Sequence, residues 1–230
     1  YLKVYPAMVI PTTELHKMWL RGEYVSYGED ELKNVLKEVK KLTPKWCRID
    51  RLVRDISKKW VSSGSLTTNM RQLLQEELKK EGIKCKCIRC REVRGGVYDA
   101  KVNLLVNERE TLGGKELFLS FESEDSLLSM LRLRLPDGGE KMLFDELVGA
   151  AIVREVHTYG QVKDLQGQTL QVGDERSQHR GLGKRLLAKA EEIAKGLGYQ
   201  KMAIISAVGT REYYKNLGYE LVGEYMVKDL

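Results

Sequence analysis

The chain has 230 residues, 42% of them hydrophobic and 31% charged, with a formal net charge of +6, enough for one large or two smaller domains with a substantial core. No apolar run approaches the length of a bilayer span, and the N-terminus lacks the basic, hydrophobic and cleavage-site order of a secretory leader, so a soluble cytoplasmic protein is expected, without a membrane partner. Four cysteines, three of them inside a six-residue window, do not resemble a secreted disulfide framework, and metal ligation is the better reading.

In chain order, Leu2 to Ile10 is an apolar, β-rich run. Thr12 or Thr13 can cap a short helix through Leu20, and Tyr24 to Tyr27 is a Gly-flanked connection. Glu29 to Leu42 places Leu32, Val35, Leu36, Val39 and Leu42 at helical spacing, and Pro44 ends that helix before a predicted strand over Trp46 to Val53. A βαβ arrangement follows. The polar segment Ser62 to Thr68 reads as a loop, and a helix from Asn69 to Glu81 stops at Gly82. Cys85 to Val93 then leads into Gly95-Gly96, which sets the expected boundary: one unit over residues 1–96 and a second over 97–230.

The second unit changes character. Tyr98 to Asn107, Glu116 to Glu122, Leu127 to Leu135 and Glu146 to Val156 read as strands, the first three joined by turn-rich linkers typical of antiparallel neighbours. Gly160 to Ser177 is polar and irregular. A helix over Leu186 to Gly196, a strand over Met202 to Ser206, a helix over Thr210 to Leu217 and a strand over Tyr219 to Lys228 complete the chain. The expected fold is α/β (α+β), a mixed sheet with helices on it.

Charge is distributed unevenly. Residues 1–96 hold 21 Lys/Arg against 12 Asp/Glu, whereas residues 97–230 hold 18 against 21. Such a surplus suits a polyanion, because each neutralised phosphate releases counterions, and nucleic acid is the natural candidate beside a plain solvated surface. Arg48, Arg51, Arg54, Lys84, Lys86, Arg89 and Arg91 frame the strand and cysteine segment and are the basic residues selected for that contact.

Cys85-Lys86-Cys87-Ile88-Arg89-Cys90 brings three thiolates together without a long loop, an arrangement suited to tetrahedral zinc with a fourth ligand from elsewhere. Cys47 and His16 are the candidates for that position, and the basic flanks would stabilise the thiolates.

The run Gln178-His179-Arg180-Gly181-Leu182-Gly183 stands between a predicted strand and the amphipathic helix. Its glycines lack the β-carbon that keeps a diphosphate off the backbone, the helix N-terminus supplies unpaired amides, and Arg180, Lys184 and Arg185 add charge. It is neither a dinucleotide fingerprint, since position 186 is Leu, nor a P-loop, since no Gly-Lys-Ser/Thr follows.

That motif resembles, together with Val153 to Gly160, Ile204 to Gly209, Tyr213-Tyr214 through Tyr219 and Tyr225 to Lys228, the catalytic subunit of Elongator. The likeness continues through Leu2-Lys3-Val4-Tyr5-Pro6, Arg51 to Ile56 and the cysteine cluster, and so spans nearly the whole chain. That family joins a radical SAM domain to a GNAT-type acetyltransferase domain and modifies the wobble uridine of tRNA. The resemblance implies a GNAT-like sheet preceded by a remnant of a radical SAM barrel and a small cysteine-rich zinc-binding linker with Cys85, Cys87 and Cys90 as ligands. It implies acetyl-CoA contacts from Glu155, Val156, His157 and Thr158, from Gln178, Gly181, Leu182, Gly183 and Lys184, and from Tyr213 and Tyr214.

For catalysis, Tyr214 is a candidate partner of the departing sulfur, and Glu155 and His157 are candidates for activating water or an acceptor. The family's radical chemistry uses a separate three-cysteine iron–sulfur motif that this chain lacks. Tyr1 to about Leu42 resembles the closing part of the radical SAM barrel, so a C-terminal fragment is expected, unable alone to complete the reaction. The iron–sulfur cluster and S-adenosylmethionine are expected only in the full-length protein. The implied partners are tRNA and acetyl-CoA, with a homodimer or further assembly subunits as open possibilities. A free-standing protein lysine acetyltransferase and a non-enzymatic, zinc-stabilised tRNA-binding module are the competing readings.

Overall fold

The computed structural model describes residues 1–54, 56–93, 101–139, 142–159 and 181–230. The Gly95-Gly96 boundary, the whole segment from Gly160 to Ser177, Gln178 and Arg180 thus lie outside the described residues. The chain divides into two compact units, Tyr1–Arg91 and Glu92–Leu230. Among the described residues no helix is long and apolar enough to cross a membrane.

The first unit contains β1 (Leu2–Lys3), α1 (Glu14–Leu20), α2 (Glu29–Leu42), β2 (Ile49–Arg51), α3 (Met70–Lys80) and the short α4 (Ile88–Arg91). β1 pairs in parallel with β2, Leu2 opposite Ile49, as a βαβ connection requires. Thr13 caps α1 by accepting from the His16 amide at 3.2 Å. The expected strands are shortened. Leu2 to Ile10 keeps only β1 and an isolated bridge between Val9 and Ser63, with Pro6 interrupting the donor pattern, and Trp46 to Val53 keeps only β2. On α2 the buried residues are Leu32, Leu36 and Lys40, while Val35 and Leu42 are exposed. The helix therefore packs on an i, i+4, i+8 stripe that includes a lysine. Leu32, Leu36, Ile49, Leu52, Met70, Leu74 and Cys87 form this unit's core.

The second unit is a seven-stranded sheet built from β3 (Asn103–Thr111), β4 (Gly114–Ser123), β5 (Ser126–Pro136), β6 (Ala150–Thr158), β7 (Lys201–Ile205), β8 (Glu220–Val222) and β9 (Tyr225–Asp229), with α5 (Leu182–Gly196) and α6 (Arg211–Lys215). Its order is β3-β4-β5-β6-β7-β9-β8, and only β6 and β7 run parallel. The sequence places the first strand over Tyr98 to Asn107, whereas β3 runs four residues beyond Asn107 to a tight turn into β4. Gly114 is obligatory there, because at φ +140° a β-carbon would lie 2.2 Å from the Leu135 carbonyl oxygen. The strand expected from Glu146 begins at Ala150, since Asp145–Leu147 form a 3₁₀ turn. The strand expected over Tyr219 to Lys228 is instead the β8–β9 hairpin, turned at Gly223 (φ +56°).

α5 lays Leu182, Leu186, Leu187, Ala190 and Ala194 against Leu119, Leu131, Leu133, Ala151, Val153, Met202 and Ile204 of the sheet. The alanines permit close approach, and each buried leucine contributes about 1.5–3 kcal/mol by transfer from water. On the opposite face Leu147, Ala150 and Ala203 form a smaller cluster packed with Ile152 and Tyr225.

Two irregularities of β6 prepare the site. Arg132 pairs with Glu155 but Leu133 pairs with Val153, so Arg154 is one residue too many and makes a bulge. The bulge reverses side-chain parity: Ala151 and Val153 belong to the α5 side before it, and Val156 packs against that same core after it. In addition, β6 pairs with β7 only over Ala150 to Val153, so its stretch from Arg154 to Thr158 continues without β7.

Candidate active site and cysteine centre

Where β6 outruns β7, the N-terminus of α5 closes one side of a cleft of about 360 Å³ lined by Val156, Thr158, Gly181, Leu182, Gly183, Lys184, Thr210, Tyr213 and Tyr214. Gly181 caps α5 with φ +88°, a left-handed conformation that favours glycine. The helix begins at Leu182, four residues earlier than its hydrophobic spacing suggests, so Gly183 lies inside the first turn, where the amides have no intrahelical acceptor. A β-carbon on Gly183 would come within 3.4 Å of Thr158 Oγ1 and 3.5 Å of Tyr213 Oη. The missing side chain is therefore part of the cleft's free volume, and glycine's small size suits a backbone cradle for a diphosphate.

The Tyr213 and Tyr214 rings meet edge to face at 5.2 Å, and Tyr214 packs similarly against Tyr219 at 6.1 Å. Tyr219 is buried; its hydroxyl donates to Glu191 Oε1 at 2.6 Å, and Glu191 also accepts from Lys228 at 2.9 Å. Burial raises the pKa of both Tyr213 and Tyr214, which keeps them as phenols at neutral pH. Burial, then Glu191, raises that of Tyr219 further.

Several residues selected from sequence fall together and others do not. Val156, Thr158, Gly181, Leu182, Gly183, Lys184, Tyr213 and Tyr214 all line the cleft, while Gln178 lies outside the described residues. Glu155 and His157 are not among the lining residues. They occupy the alternate positions of β6, joined by a 3.0 Å contact between His157 Nε2 and Glu155 Oε1, and Glu155 Oε2 accepts from Arg132 Nε at 2.8 Å. Arg132 in turn lies 3.8 Å from Glu116, a buried carboxylate that also binds Arg109 and Arg154. His157 is half-exposed and stacks on Tyr159 at 6.0 Å. Arg185 is turned aside from phosphate duty, its guanidinium stacked 4.5 Å from the Phe121 ring centroid. Sequence reasoning overlooked Thr210, which no periodicity marks.

In the first unit, the sulfurs of Cys85, Cys87 and Cys90 lie within 4.8 Å of one another, and the described residues hold no further ligand in that group. Cys47 Sγ is directed at its neighbour's carbonyl, Arg48 O, at 4.0 Å, and His16 packs beside Trp19. Tetrahedral zinc with bonds of about 2.3 Å places its sulfurs roughly 3.8 Å apart, so the three thiols fit such an ion with a small contraction. Hydrogen bonds from Cys85 and Cys87, followed by Lys40, push the Cys90 thiol well below its ordinary pKa, and the same sulfur contacts push Cys85 up. Arg71, missed in the sequence, clamps this region by donating to the carbonyls of Ile49 (2.8 Å) and Asp50 (3.2 Å).

The basic residues also separate by role. Arg51, Arg54, Lys84 and Lys86 are exposed, Arg54 lying 5.5 Å from the Tyr5 ring centroid, and Arg89 is half-buried. Arg48 is paired with Asp50 at 2.9 Å. Arg91 is buried and donates to the carbonyls of Lys86 and Lys45, both at 2.8 Å, which fixes the cysteine loop to the segment after α2.

A two-part chain emerges, a small αβ unit ending in a thiol cluster and a mixed sheet whose splayed strands receive a helix N-terminus. Comparison with known proteins defines the parts: residues 1–80 match the Radical_SAM C-terminal domain and residues 107–219 the Acetyltransferase (GNAT) family. The chain is 41% identical over 239 aligned positions to the tRNA uridine(34) acetyltransferase of Methanocaldococcus jannaschii, covering 100% of this chain and 43% of that protein. It is 39% identical over 237 to the Elongator complex protein 3 of Homo sapiens, covering 100% of this chain and 42% of that protein. The solved structure of archaeal Methanocaldococcus infernus Elp3 with an N-terminal deletion superposes with a TM-score of 0.86 at 38% identity, over 99% of this chain and 55% of that one. The chain belongs to the family of the Elongator catalytic subunit, and it spans less than half the length of these two curated relatives.

Proposed function

We propose that this chain is the acetyl-CoA-binding and tRNA-contacting part of a cytoplasmic enzyme that carboxymethylates the wobble uridine of tRNA, with acetyl-CoA hydrolysis or transfer in the second unit. The observation that carries the reading is the cleft formed where β6 outruns β7 beside the N-terminus of α5. Relatives bearing the names tRNA uridine(34) acetyltransferase and Elongator complex protein 3 support the choice of tRNA as substrate.

When bound, acetyl-CoA would supply an activated two-carbon group. The amides around Gly181, Leu182, Gly183 and Lys184 bind its diphosphate, helped by the helix dipole and the Lys184 ammonium. The backbone of β6 from Glu155 to Thr158 orients the pantetheine arm as an added strand. Tyr213 walls the cleft, and Tyr214 holds a proton on its phenol for delivery to the departing sulfur. Glu155 and His157 act from the other face of β6: Arg132 fixes the carboxylate, and half-exposed His157 exchanges a proton with water or an acceptor. Cys85, Cys87 and Cys90 hold zinc, which stabilises the basic first unit. Arg51, Arg54, Lys84, Lys86 and Arg89 contact tRNA phosphates, with Arg48 held by Asp50 and Arg91 supporting from beneath. The iron–sulfur cluster and S-adenosylmethionine belong to the part of the full-length protein outside this chain.

Acetyl-CoA turnover measured with and without tRNA, for wild type and Tyr214→Ala, tests the proposal. tRNA-stimulated turnover that the substitution abolishes is expected. Transfer to protein lysines with no dependence on tRNA would select a protein acetyltransferase. tRNA binding with no acetyl-CoA occupancy would select a binding module.

A further inference from the structure

Lys40 has no exposed surface and lies on the same stripe of α2 as Leu32 and Leu36. An ammonium removed from water must meet an anion or a strong acceptor to be tolerated. Among the described residues its nitrogen has a single partner, Cys90 Sγ at 3.5 Å, and no carboxylate. Gln75 on α3 directs a second N–H to the same sulfur at 3.6 Å. Cys90 thus receives donors from two helices. A neutral thiol accepts weakly, whereas a metal-bound thiolate is an anion that rewards both contacts. Three thiolates on a divalent ion leave one excess negative charge, which one buried ammonium cancels.

We infer that Lys40 is the counter-ion and positioning residue of the cysteine centre: with Gln75 it aims Cys90 Sγ at the metal and neutralises the surplus charge of a tris-thiolate site. The inference rests on the reading that Cys85, Cys87 and Cys90 hold a metal. It also favours a neutral fourth ligand, a water or an uncharged nitrogen or oxygen donor, because Cys47 Sγ is directed at the Arg48 carbonyl and a fourth thiolate would add a negative charge that Lys40 does not cancel. Outer contacts of this kind orient the ligand atoms and tune the metal.

The test titrates the 230-residue chain with cobalt, then with zinc against a chromophoric chelator. Wild type is expected to bind one equivalent, with charge-transfer intensity for three thiolates. Lys40→Met removes the charge and donor while filling the same space; its metal affinity is expected to fall about 10–100-fold. Its sulfur-to-cobalt band should move to longer wavelength, because the lost N–H no longer stabilises the sulfur lone pairs. Its metal-free melting temperature should be unchanged or higher, since a buried charge has been replaced by an apolar side chain. Gln75→Ala, on the exposed side of α3, keeps the fold and should shift the band in the same direction by less. Wild-type affinity and band position in Lys40→Met would overturn the role of Lys40, as would an unmoved band in Gln75→Ala should Lys40→Met fail to fold. A wild-type chain that binds neither metal would overturn the metal reading itself.

Discussion

Gly183 stands in the first turn of α5 with backbone angles that any residue can adopt, and a β-carbon there would touch Thr158 Oγ1 at 3.4 Å and Tyr213 Oη at 3.5 Å. Gly183→Ala therefore fits the fold and occupies the cleft. Replacing glycine inside a helix stabilises by about 0.5–1 kcal/mol through the unfolded chain's entropy, which for a chain of this size raises the melting temperature by roughly 1–4 °C. On the proposed placement the same methyl would hold the diphosphate away from the first-turn amides, and losing one charge-assisted hydrogen bond of about 1.5–3 kcal/mol should weaken acetyl-CoA about 10–150-fold. Differential scanning calorimetry without ligand and isothermal titration with acetyl-CoA read the two effects separately. The expected variant is more stable and binds more poorly. Stabilisation with wild-type affinity would refute the placement of the diphosphate at this turn, and destabilisation would refute the helical assignment of Gly183. Gly181→Ala, at φ +88°, should instead destabilise by about 1–2 kcal/mol.

Arg91→Ala removes a buried guanidinium that satisfies the carbonyls of Lys86 and Lys45, and should cost about 2–4 kcal/mol in urea unfolding and accelerate zinc release to a chelator. Because burial and Glu191 raise the Tyr219 pKa above its unfolded value of about 10, the unfolded chain ionises first as pH rises. This tyrosine's contribution is complete below pH 10 and declines above it, so urea midpoints measured from pH 8 to 11 should fall, and fall less in Tyr219→Phe. Joint reversal of exposed Arg51 and Arg54 to Glu should lower tRNA affinity and flatten its salt dependence by about one unit per lost phosphate contact, with acetyl-CoA binding unchanged in calorimetry.

The residues that line the cleft were legible because most of them stand close together in the chain. A glycine pair, a helix start and a tyrosine-bearing helix are written contiguously, and they meet in one cleft. What the sequence hid depends on partners distant in the chain. Lys40 occupies an apolar-face position four residues after Leu36, a pattern that reads as a surface lysine until Cys90, fifty residues on, supplies its acceptor. Glu155 and His157 were chosen for their chemistry, but their direction depends on a bulge at Arg154, which exists only in the register between β5 and β6. Arg91 looks like another phosphate ligand because charge counts cannot distinguish a cation that binds carbonyls from one facing water. Strand ends shifted wherever a glycine turn or a 3₁₀ turn, rather than hydrophobicity, set the limit.

The supernumerary residue at position 154 lets one short strand serve two independent clients. One side of β6 offers small, neutral groups to the cleft, and the other carries a carboxylate–imidazole pair braced by arginine. Substitution at alternate positions can therefore retune the Glu155 side while the cleft side stays untouched, and the bulge decides which residues fall on which side. Excising Arg154 would remove the bulge yet leave Glu155 and His157 on their present side, whereas drawing Arg154 into the ladder as an ordinary strand residue would exchange the two sides at a stroke.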